Sequence, residues 1–238
     1  RRYPFIGFDM DREAGKDILF VENLSKTAPD GTVLFKDITF TVNKGEKIAF
    51  VGNEMSITAL FEILVGNSDP DSGSYKWGQS ITYSYFPHDN SAFFNGCTLS
   101  ILDWMRQYSK DQTETYLRGF LGRMLFSNDS VYKEVRVLSG GEKARCMFSR
   151  MMLFGSNMLI LDRPDLESIT AVNNGLSAFK GNVMFMSHDY EIVNTVADRI
   201  IELTPDRMID KKGNYEDYVE FKKSLGEGKI SLGTSYSE

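Results

Sequence analysis

The sequence predicts an α/β fold built on a parallel β-sheet. Short apolar strands are predicted at Lys47–Gly52, Met158–Asp162 and Val183–Ser187, and each ends in a glycine or a polar turn. Segments with helical spacing of apolar residues separate them, and strands that alternate with helices are typical of a parallel sheet. The 238 residues correspond to one large domain or two small ones.

The N-terminal segment, residues 1–17, is charged and aromatic without a clear period. We expect it to be a connector that packs on the domain through Tyr3, Phe5 and Phe8. Because the chain starts at Arg1 rather than at methionine, we also expect a processed product or a piece of a longer protein.

Two strands are predicted next, at Ile18–Leu24 and at Val33–Asn43, whose alternating pattern is typical of an edge or hairpin strand. After Lys47–Gly52, helical spacing predicts a helix over Thr58–Val65. A strand, a glycine and a helix therefore follow one another, which is the order found in nucleotide-binding loops. A further strand-like stretch covers Ser74–Tyr85.

The stretch 91–154 has helical spacing, so we expect a helical subdomain there. One amphipathic face repeats through Leu117, Phe120, Leu121, Met124 and Leu125. The tail, residues 224–238, is rich in glycine and serine and is predicted to be flexible.

Composition excludes several classes of protein. With 42% hydrophobic and 25% charged residues, the chain is neither disordered nor collagen-like. No apolar run approaches the roughly 18 residues of a transmembrane segment. The net charge of −6 argues against free DNA binding, so a nucleic-acid partner would have to meet a local basic patch. Two cysteines, Cys97 and Cys146, and no secretory signal predict a reducing, cytoplasmic location.

The most informative stretch is Leu138-Ser139-Gly140-Gly141-Glu142. Ser139 is a good helix N-cap, and Glu142 is spaced to complete a capping box. The two glycines allow a close backbone approach, and the free N–H groups at a helix start bind anions. A capped helix after a turn explains this stretch equally well when it is taken alone.

Two strand ends further along the chain favour a nucleotide site. Asp162 ends one apolar strand, and a carboxylate there can hold Mg²⁺ through water. His188 follows another and can donate to a terminal phosphate. An aspartate that caps a helix and a histidine on the surface are the ordinary explanations, but the three features in this order predict nucleotide binding.

These residues resemble a known family. Leu138–Glu142, Met158–Asp162 and Ser187–Asp189 resemble the signature, the Walker B strand and the switch histidine of ABC ATPases. Arg1–Phe8 is similar to the end of the linker between the two ATPase halves of ABC-F proteins. Lys211–Tyr218 is similar to the Gly-x-Tyr-x-x-Tyr ending of such a half. The resemblance covers about residues 18–220.

The resemblance implies an ABC-type P-loop nucleotide-binding domain over residues 18–223, with a parallel-sheet core, an antiparallel β subdomain and a helical signature subdomain. It also implies ATP and Mg²⁺ as ligands, with Thr58 and Asp162 weakly holding the metal and Asp162 and His188 in catalytic roles. The nucleotide-binding residues it implies are Gly52, Asn53, Ser56, Thr58, Ala59, His88, Ser139, Gly140, Gly141 and Glu142.

The phosphate loop departs from the family pattern Gly-x-x-x-x-Gly-Lys-Ser/Thr. With Thr58 at the Mg²⁺-binding hydroxyl, Ile57 takes the place of the lysine, and the loop is one residue short. Glu54 also adds a negative charge where phosphate would lie, which disfavours a polyanion. We therefore expect a weak or empty site.

Other family positions are altered too. Arg163 replaces the glutamate that polarises the attacking water, and an arginine cannot act as a base at neutral pH. The family's Thr-Asn-His-Leu segment after it is absent, either through a true deletion or because residues of a disordered loop are left out of the given sequence. His88 takes the place of the Q-loop glutamine, and Thr27 and Ala28 replace an adenine-stacking aromatic ring.

The hypothesis that follows is an asymmetric ATPase, because the ATP sites of ABC halves form between one half's phosphate loop and the other's signature. Ser139, Gly140 and Gly141 would complete a site on an N-terminal ABC half of the same protein, and this half's own site would be degenerate. Family members without a membrane domain often act on the ribosome, so the ribosome is an expected partner. Whether this half hydrolyses ATP is left open, and the isolated domain is expected to be weak or inactive.

Three alternatives remain at this stage. The chain could be a scaffold half without an enzymatic role. It could be the ATP-binding subunit of a membrane transporter, although the linker-like start and Tyr215–Tyr218 argue against this. A DNA-repair ATPase of the same superfamily would need a long coiled-coil insertion, which the sequence lacks.

Overall fold

The computed structural model describes residues 2–227 and 232, and it contains two β-sheets. The smaller sheet is antiparallel and three-stranded, with strand order β2-β1-β4. Its strands are β1 (Asp17–Thr27), β2 (Val33–Asn43) and β4 (Ser72–Trp77). Most of the tail that was predicted to be flexible lies outside the described residues.

The larger sheet has six strands in the order β5-β6-β7-β3-β8-β9. All neighbours pair in parallel except β8 and β9, which pair antiparallel. Its strands are β3 (Lys47–Gly52), β5 (Tyr83–Phe86), β6 (Met158–Asp162), β7 (Asn182–Met186), β8 (Arg199–Leu203) and β9 (Met208–Lys212). The predicted α/β class with a parallel sheet is confirmed.

Helices surround this sheet, and several cluster between β5 and β6. They are α1 (Glu54–Leu64), α2 (Ser91–Phe94), α3 (Ile101–Arg106), α4 (Glu114–Arg123), α5 (Gly140–Phe154), α6 (Ile169–Ala178), α7 (Tyr190–Val196) and α8 (Tyr215–Ser224). Helix α5 begins where the capping box predicts, because the Ser139 side chain accepts from Glu142 N while the Glu142 carboxylate accepts from Ser139 N.

Two hydrophobic cores lie on the two faces of the larger sheet. One contains α1, the small sheet and one face of β6 and β7; the other joins the opposite face to the helices that follow β5. Alternate residues of β6 enter different cores, with Ile160 in the first and Leu161 in the second. The strand ends are therefore fixed from both sides, which positions the residues that follow them.

Two predictions about local structure were wrong. The N-terminal connector packs through Phe8, as predicted, and through Ile6, whereas Tyr3 and Phe5 are 53% and 62% exposed. In this extended segment alternate side chains face the domain, so the position of a residue along the segment decides its burial, and the size of its ring does not. The predicted stretch Ser74–Tyr85 is two strands, β4 and β5, which belong to different sheets.

No helix among residues 2–227 is long and apolar enough to cross a membrane. The thiol of Cys146 is buried in the second core, and this burial raises its pKa well above the ordinary value. Cys97 is only partly buried.

A buried polar cluster joins α8 to the larger sheet. The Glu202 carboxylate accepts from the Tyr218 hydroxyl at 2.6 Å and from Lys222 Nζ at 2.5 Å. Its second oxygen accepts from Arg207 Nε at 3.0 Å. Glu202 and Lys222 are 6% and 4% exposed, and Lys222 also pairs with Glu227, so ion pairs within this cluster offset the hydration that the buried charges lose.

Replacing Glu202 is therefore expected to destabilise the domain. Glu202→Ala removes the acceptor of the Tyr218 hydroxyl and leaves the buried Lys222 ammonium with Glu227 as its one carboxylate partner, which should lower the free energy of unfolding by about 2 kcal/mol. Urea unfolding followed by circular dichroism measures this. Glu220→Ala, at an exposed position of α8, should change it by about 0.5 kcal/mol or less. Equal effects from the two changes would contradict the role of the cluster.

Candidate functional site

The C-terminal ends of β3, β6 and β7 converge on one edge of the larger sheet, because these neighbours run parallel in the order β6-β7-β3. Ligand sites of open α/β sheets lie at this edge. Thr58 in the first turns of α1, Asp162 at the end of β6 and His188 after β7 are all placed there. The structure thus gathers three of the predicted site residues.

Thr58 and Asp162 are in direct contact. The Thr58 hydroxyl donates to Asp162 Oδ2 at 2.5 Å, and Asp162 is fully buried. Arg163 bonds to both, since its Nε donates to Asp162 Oδ1 at 3.0 Å and its Nη2 donates to Thr58 Oγ1 at 3.1 Å. The guanidinium therefore lies against both residues predicted to hold a metal.

The same guanidinium continues into a second ion pair. Arg163 Nη1 lies 2.7 Å from Glu54 Oε2, and the other oxygen of Glu54 lies 2.7 Å from His188 Nε2. The side chains of Arg163 and Glu54 are 16% and 20% exposed. Residues from the start of α1, the end of β6 and the segment after β7 are thus joined through one network, the Arg163 network of Glu54, Thr58, Asp162, Arg163 and His188.

The predicted phosphate loop is occupied by its own hydrogen bonds. The Asn53 side chain caps α1 by accepting from Ser56 N at 3.0 Å, and the Ser56 hydroxyl donates to Leu34 O at 2.5 Å. Ile57 is fully buried in the first core, at the place of the family's lysine. None of the side chains of residues 52–58 is positively charged, so none of them can pair with a phosphate.

Gly52 has a packing requirement of its own. Its φ is +114°, and a Cβ there would lie 2.6 Å from Leu203 O on β8. A glycine at this position is needed by the strand pairing whether or not a ligand binds. Ala59 follows Thr58 in α1 and is partly buried.

Mg²⁺ with a nucleotide does not fit this arrangement. The hydroxyl and carboxylate that would approach the metal already bond to a cation, the Arg163 guanidinium. A triphosphate would also meet the Glu54 carboxylate without a lysine to offset it. Among the described residues, no group of three or more His, Cys, Asp or Glu side chains is arranged to hold a metal ion.

A cavity of about 590 Å³ opens beside the network. Its lining residues are Glu54, His88, Arg163, Pro164, Asp165, Leu166, Ile169, Ser187, His188 and Asp189. His88, the predicted Q-loop position, has its Nδ1 3.4 Å from Arg163 O. Ser139, Gly140 and Gly141 do not line this cavity.

The signature residues form a second locus, at the start of α5. Acidic side chains of the segment after β6 cover its glycines: a Cβ at Gly140 would lie 2.9 Å from an Asp165 carboxylate oxygen, and one at Gly141 would lie 2.8 Å from Glu167. Arg145 Nε holds Glu167 at 3.1 Å. A residue larger than glycine at either position would have to displace these carboxylates.

Glu142 is bound within its own chain. Although burial opposes it, the hydrogen bond from Ser139 N and the Lys133 ammonium hold the pKa of Glu142 below its ordinary value. Its carboxylate therefore stays ionised and caps the helix. This describes a role in helix capping, while the nucleotide role of the signature residues stays a prediction.

The sequence analysis treats Glu54 and Arg163 as two separate departures from the pattern of a nucleotide site, and it does not predict that they form an ion pair. The signal for the pairing was present, because one position had gained a negative charge and the other a positive one. Nothing in their separation of 109 positions pointed to contact.

Comparison with known proteins decides the family. The family model described as "ABC transporter" matches residues 35–165, which is more than half of the chain. The chain belongs to the ABC transporter ATP-binding family. It is 53% identical over 226 residues to the uncharacterized ABC transporter ATP-binding protein YkpA of Bacillus subtilis, with 92% of this chain and 42% of the relative aligned.

Two more distant relatives have more specific names. The energy-dependent translational throttle protein EttA of Escherichia coli is 30% identical, with 88% of this chain and 39% of the relative aligned. The ABC transporter F family member 5 of Arabidopsis thaliana is 28% identical, with 92% and 32% aligned. This chain therefore spans less than half the length of these relatives.

A solved structure supports the fold. The chain matches cbiO1 of Clostridium perfringens, described as part of the ABC transporter complex cbiONQ, with a TM-score of 0.64 and 21% identity over 89% of this chain and 94% of that one. At this identity the match supports the fold alone. The predicted ABC-type α/β fold is thereby confirmed.

The Arg163 network should stabilise the domain measurably. Glu54→Ala removes the carboxylate that bridges Arg163 and His188, and it leaves a part-buried guanidinium with fewer acceptors. We expect the free energy of unfolding to fall by about 1–3 kcal/mol. The neighbouring Met55→Ala, at a side chain that is 63% exposed, should change it by about 0.5 kcal/mol or less. An equally small effect of Glu54→Ala in urea unfolding would contradict this role.

Proposed function

We propose that this ABC ATP-binding domain is one half of an ABC-F type ATPase with two ATPase domains, and that it lends its signature to an ATP site on the other half. In this view Ser139, Gly140 and Gly141 face a nucleotide held, with Mg²⁺, by the phosphate loop of that other half. The domain's own site, at Thr58, Asp162 and His188, does not turn over ATP.

The observation that carries the proposal is the contrast between the two loci. At the phosphate-loop edge, the Arg163 network satisfies the groups that would meet Mg²⁺ and phosphate. At the other locus, α5 begins with a complete capping box and two glycines. A half with an intact signature and a blocked site of its own is useful to a partner, because ABC sites form between two halves.

The length of the relatives supports a second half. Relatives such as YkpA are more than twice as long as the matched region, since the chain aligns with 42% of that protein. The names of EttA and of ABC transporter F family member 5 support the ABC-F type and a role in translation. A cytoplasmic location and a ribosomal partner are part of the proposal.

One observation favours a scaffold half without any part in hydrolysis. The Asp165 carboxylate lies against Gly140, near the N-terminus of α5 where a partner's phosphate would approach. Two anions repel each other there, so Asp165 would have to move away before a nucleotide could be sandwiched. The scaffold alternative predicts that the signature can be changed without loss of turnover.

The proposal predicts a selective effect of a charge at the signature. Ser139→Asp keeps an N-cap acceptor, so α5 should remain stable. It adds a negative charge beside the partner's phosphate, so ATP turnover of the two-domain protein should fall about 100-fold. Steady-state ATPase assays measure this, and thermal unfolding verifies the fold.

Asn214→Ala is the matched control for capping, because it removes the capping box of α8, a helix that contributes no residue to either locus. It should cost about 1 kcal/mol of stability and leave turnover unchanged. Normal turnover in Ser139→Asp would contradict the signature role and support the scaffold alternative.

The proposed role in translation predicts ribosome binding by the two-domain protein. With a slowly hydrolysed ATP analogue, the protein should sediment with ribosomes through a sucrose cushion. Raising the salt concentration should weaken binding, because contacts to RNA phosphates release counterions. Protein that stays in the supernatant in every nucleotide state would contradict the ribosomal role, and fractionation with membranes would favour a transporter subunit.

A further inference from the structure

A second cavity, of about 410 Å³, lies at β5, the edge strand of the larger sheet. Residues of α1, α2 and α5 complete its walls, and it shares no lining residue with the cavity beside the Arg163 network. Its volume falls in the range of roughly 300–1,000 Å³ that is typical of small-molecule sites. We call it the β5 cavity, and its apolar lining residues include Val65, Pro87, Ala92, Phe93 and Phe154.

Three buried polar atoms belong to residues that line the β5 cavity. Among residues 2–227 and 232, the buried side-chain nitrogen and oxygen atoms without a hydrogen-bond partner are Ser84 Oγ, Tyr85 Oη and Arg150 Nε. All three residues line this one cavity. Because a buried polar group without a partner costs about 1–3 kcal/mol, native structures contain few of them. Three at one cavity indicate a place for a ligand that carries a hydrogen-bond acceptor.

The Arg150 guanidinium stacks on three aromatic rings. Its Cζ lies 4.7 Å from the ring centroid of Phe93, 4.9 Å from that of Tyr108 and 4.6 Å from that of Phe154. Ring faces attract the positive charge but do not accept from all of its N–H groups, and Nε is left without an acceptor. Burial lowers the pKa of Arg150, yet an arginine stays protonated at neutral pH. Arg150 is therefore a fixed cation that can receive a carboxylate.

Two hydroxyl groups can join Arg150 in binding the same acceptor. Burial raises the pKa of Tyr85 well above its ordinary value, and the Glu62 carboxylate raises it further, so the Tyr85 hydroxyl stays protonated and can donate. Ser84 is 3% exposed, and its hydroxyl is a second donor. A guanidinium and two hydroxyls match the two oxygens of one carboxylate.

The β5 cavity also carries two carboxylates, those of Glu62 and Asp89. Glu62 Oε2 accepts from Asn67 Nδ2 at 2.7 Å, and Asp89 Oδ1 accepts from Ser91 N at 3.0 Å, so each carboxylate keeps capacity for another donor. Hydrogen bonds from Ser91 hold the pKa of Asp89 below its ordinary value. With two negative charges and one positive charge, the walls disfavour a doubly charged anion and favour a ligand that has both a carboxylate and an ammonium group.

We infer that the β5 cavity binds a free α-amino acid with an apolar side chain. Arg150, Ser84 and Tyr85 donate to its carboxylate. Glu62 and Asp89 accept from its ammonium group, and the apolar lining residues contact its side chain. Either end of a peptide carries only one of the two charges, so the free amino acid is the ligand that uses both. The site is independent of the proposed function, because none of these residues belongs to either ATP locus.

Isothermal titration calorimetry of the whole chain without nucleotide tests this site with four probes: L-phenylalanine, L-tryptophan, L-leucine and L-methionine. At least one of them should bind with a dissociation constant of about 1 mM or lower. The N-acetyl derivative of the tightest probe lacks the ammonium charge, and its amide lacks the carboxylate. Each derivative should bind at least about tenfold more weakly than its parent, because a charge-assisted hydrogen bond is lost.

Matched variants assign the residues. Tyr85→Phe removes only an unpartnered hydroxyl, so it should leave the melting temperature unchanged or raise it, while it weakens binding of the tightest probe about fivefold. Arg150→Met keeps an apolar stem between the rings, and Glu62→Gln keeps the shape of the side chain; the loss of charge should weaken binding at least about tenfold in each. Tyr132→Phe and Arg136→Gln, at exposed positions outside the cavity, should bind as wild type does. Circular dichroism shows which variants are folded.

Three results would overturn the inference. The first is that none of the four probes binds at about 1 mM. The second is an N-acetyl derivative that binds as tightly as its parent, which would assign the cavity to the carboxyl end of a peptide. The third is binding by a folded Tyr85→Phe or a folded Glu62→Gln that is as tight as binding by wild type. If Arg150→Met does not fold, these two variants still decide the outcome.

Discussion

The pairing of the Arg163 guanidinium with the carboxylates of Asp162 and Glu54 is the interaction on which the sheet edge depends. Asp162 lies at the end of a strand that is buried on both faces, so its charge has no access to water. A buried carboxylate must be paired or protonated, because the cost of desolvating it alone is several kcal/mol. Arg163, the next residue, supplies the partner, and Glu54 balances the rest of the guanidinium.

This pairing determines what the cavity beside it can accept. Glu54 presents a carboxylate to both Arg163 and His188, so these three side chains at the cavity wall already have partners. A ligand would gain little by replacing these bonds, since each broken ion pair leaves a charge behind in a part-buried place. The segment that follows Arg163 also reaches the second locus, because Asp165 lies against Gly140 and Glu167 lies against Gly141. The residues that follow β6 therefore contribute to both loci.

The sequence predicted the features that depend on interactions between neighbouring residues, and it did not predict those that depend on contacts between residues far apart in the chain. Helix α5 was predicted to the residue because its start, Ser139 with Glu142, is a local hydrogen-bond pattern. The strand Met158–Asp162 was predicted equally well, since five apolar or acidic residues between turns leave few alternatives. The prediction for the N-terminal connector was wrong at Phe5, because the burial of Ile6 and the exposure of Phe5 depend on which side of this extended segment faces the domain. The contact between Arg163 and Glu54 was not predicted, because it depends on the strand order β6-β7-β3, which no local sequence pattern reveals.

The residues predicted to form the signature and those predicted to form the phosphate loop are held by different sets of contacts. The signature's glycines and capping box are held by contacts within α5 and with Lys133, Asp165 and Glu167, and none of these involves the phosphate loop. The phosphate loop is held by Asn53, Ser56 and the first core, which stabilise α1 without a ligand. Apart from the segment that follows β6, the two loci share none of these contacts, and no hydrogen bond of the α5 capping box involves the Arg163 network. These separate contacts suit the proposed role, in which the start of α5 serves another half while Arg163 occupies the domain's own site.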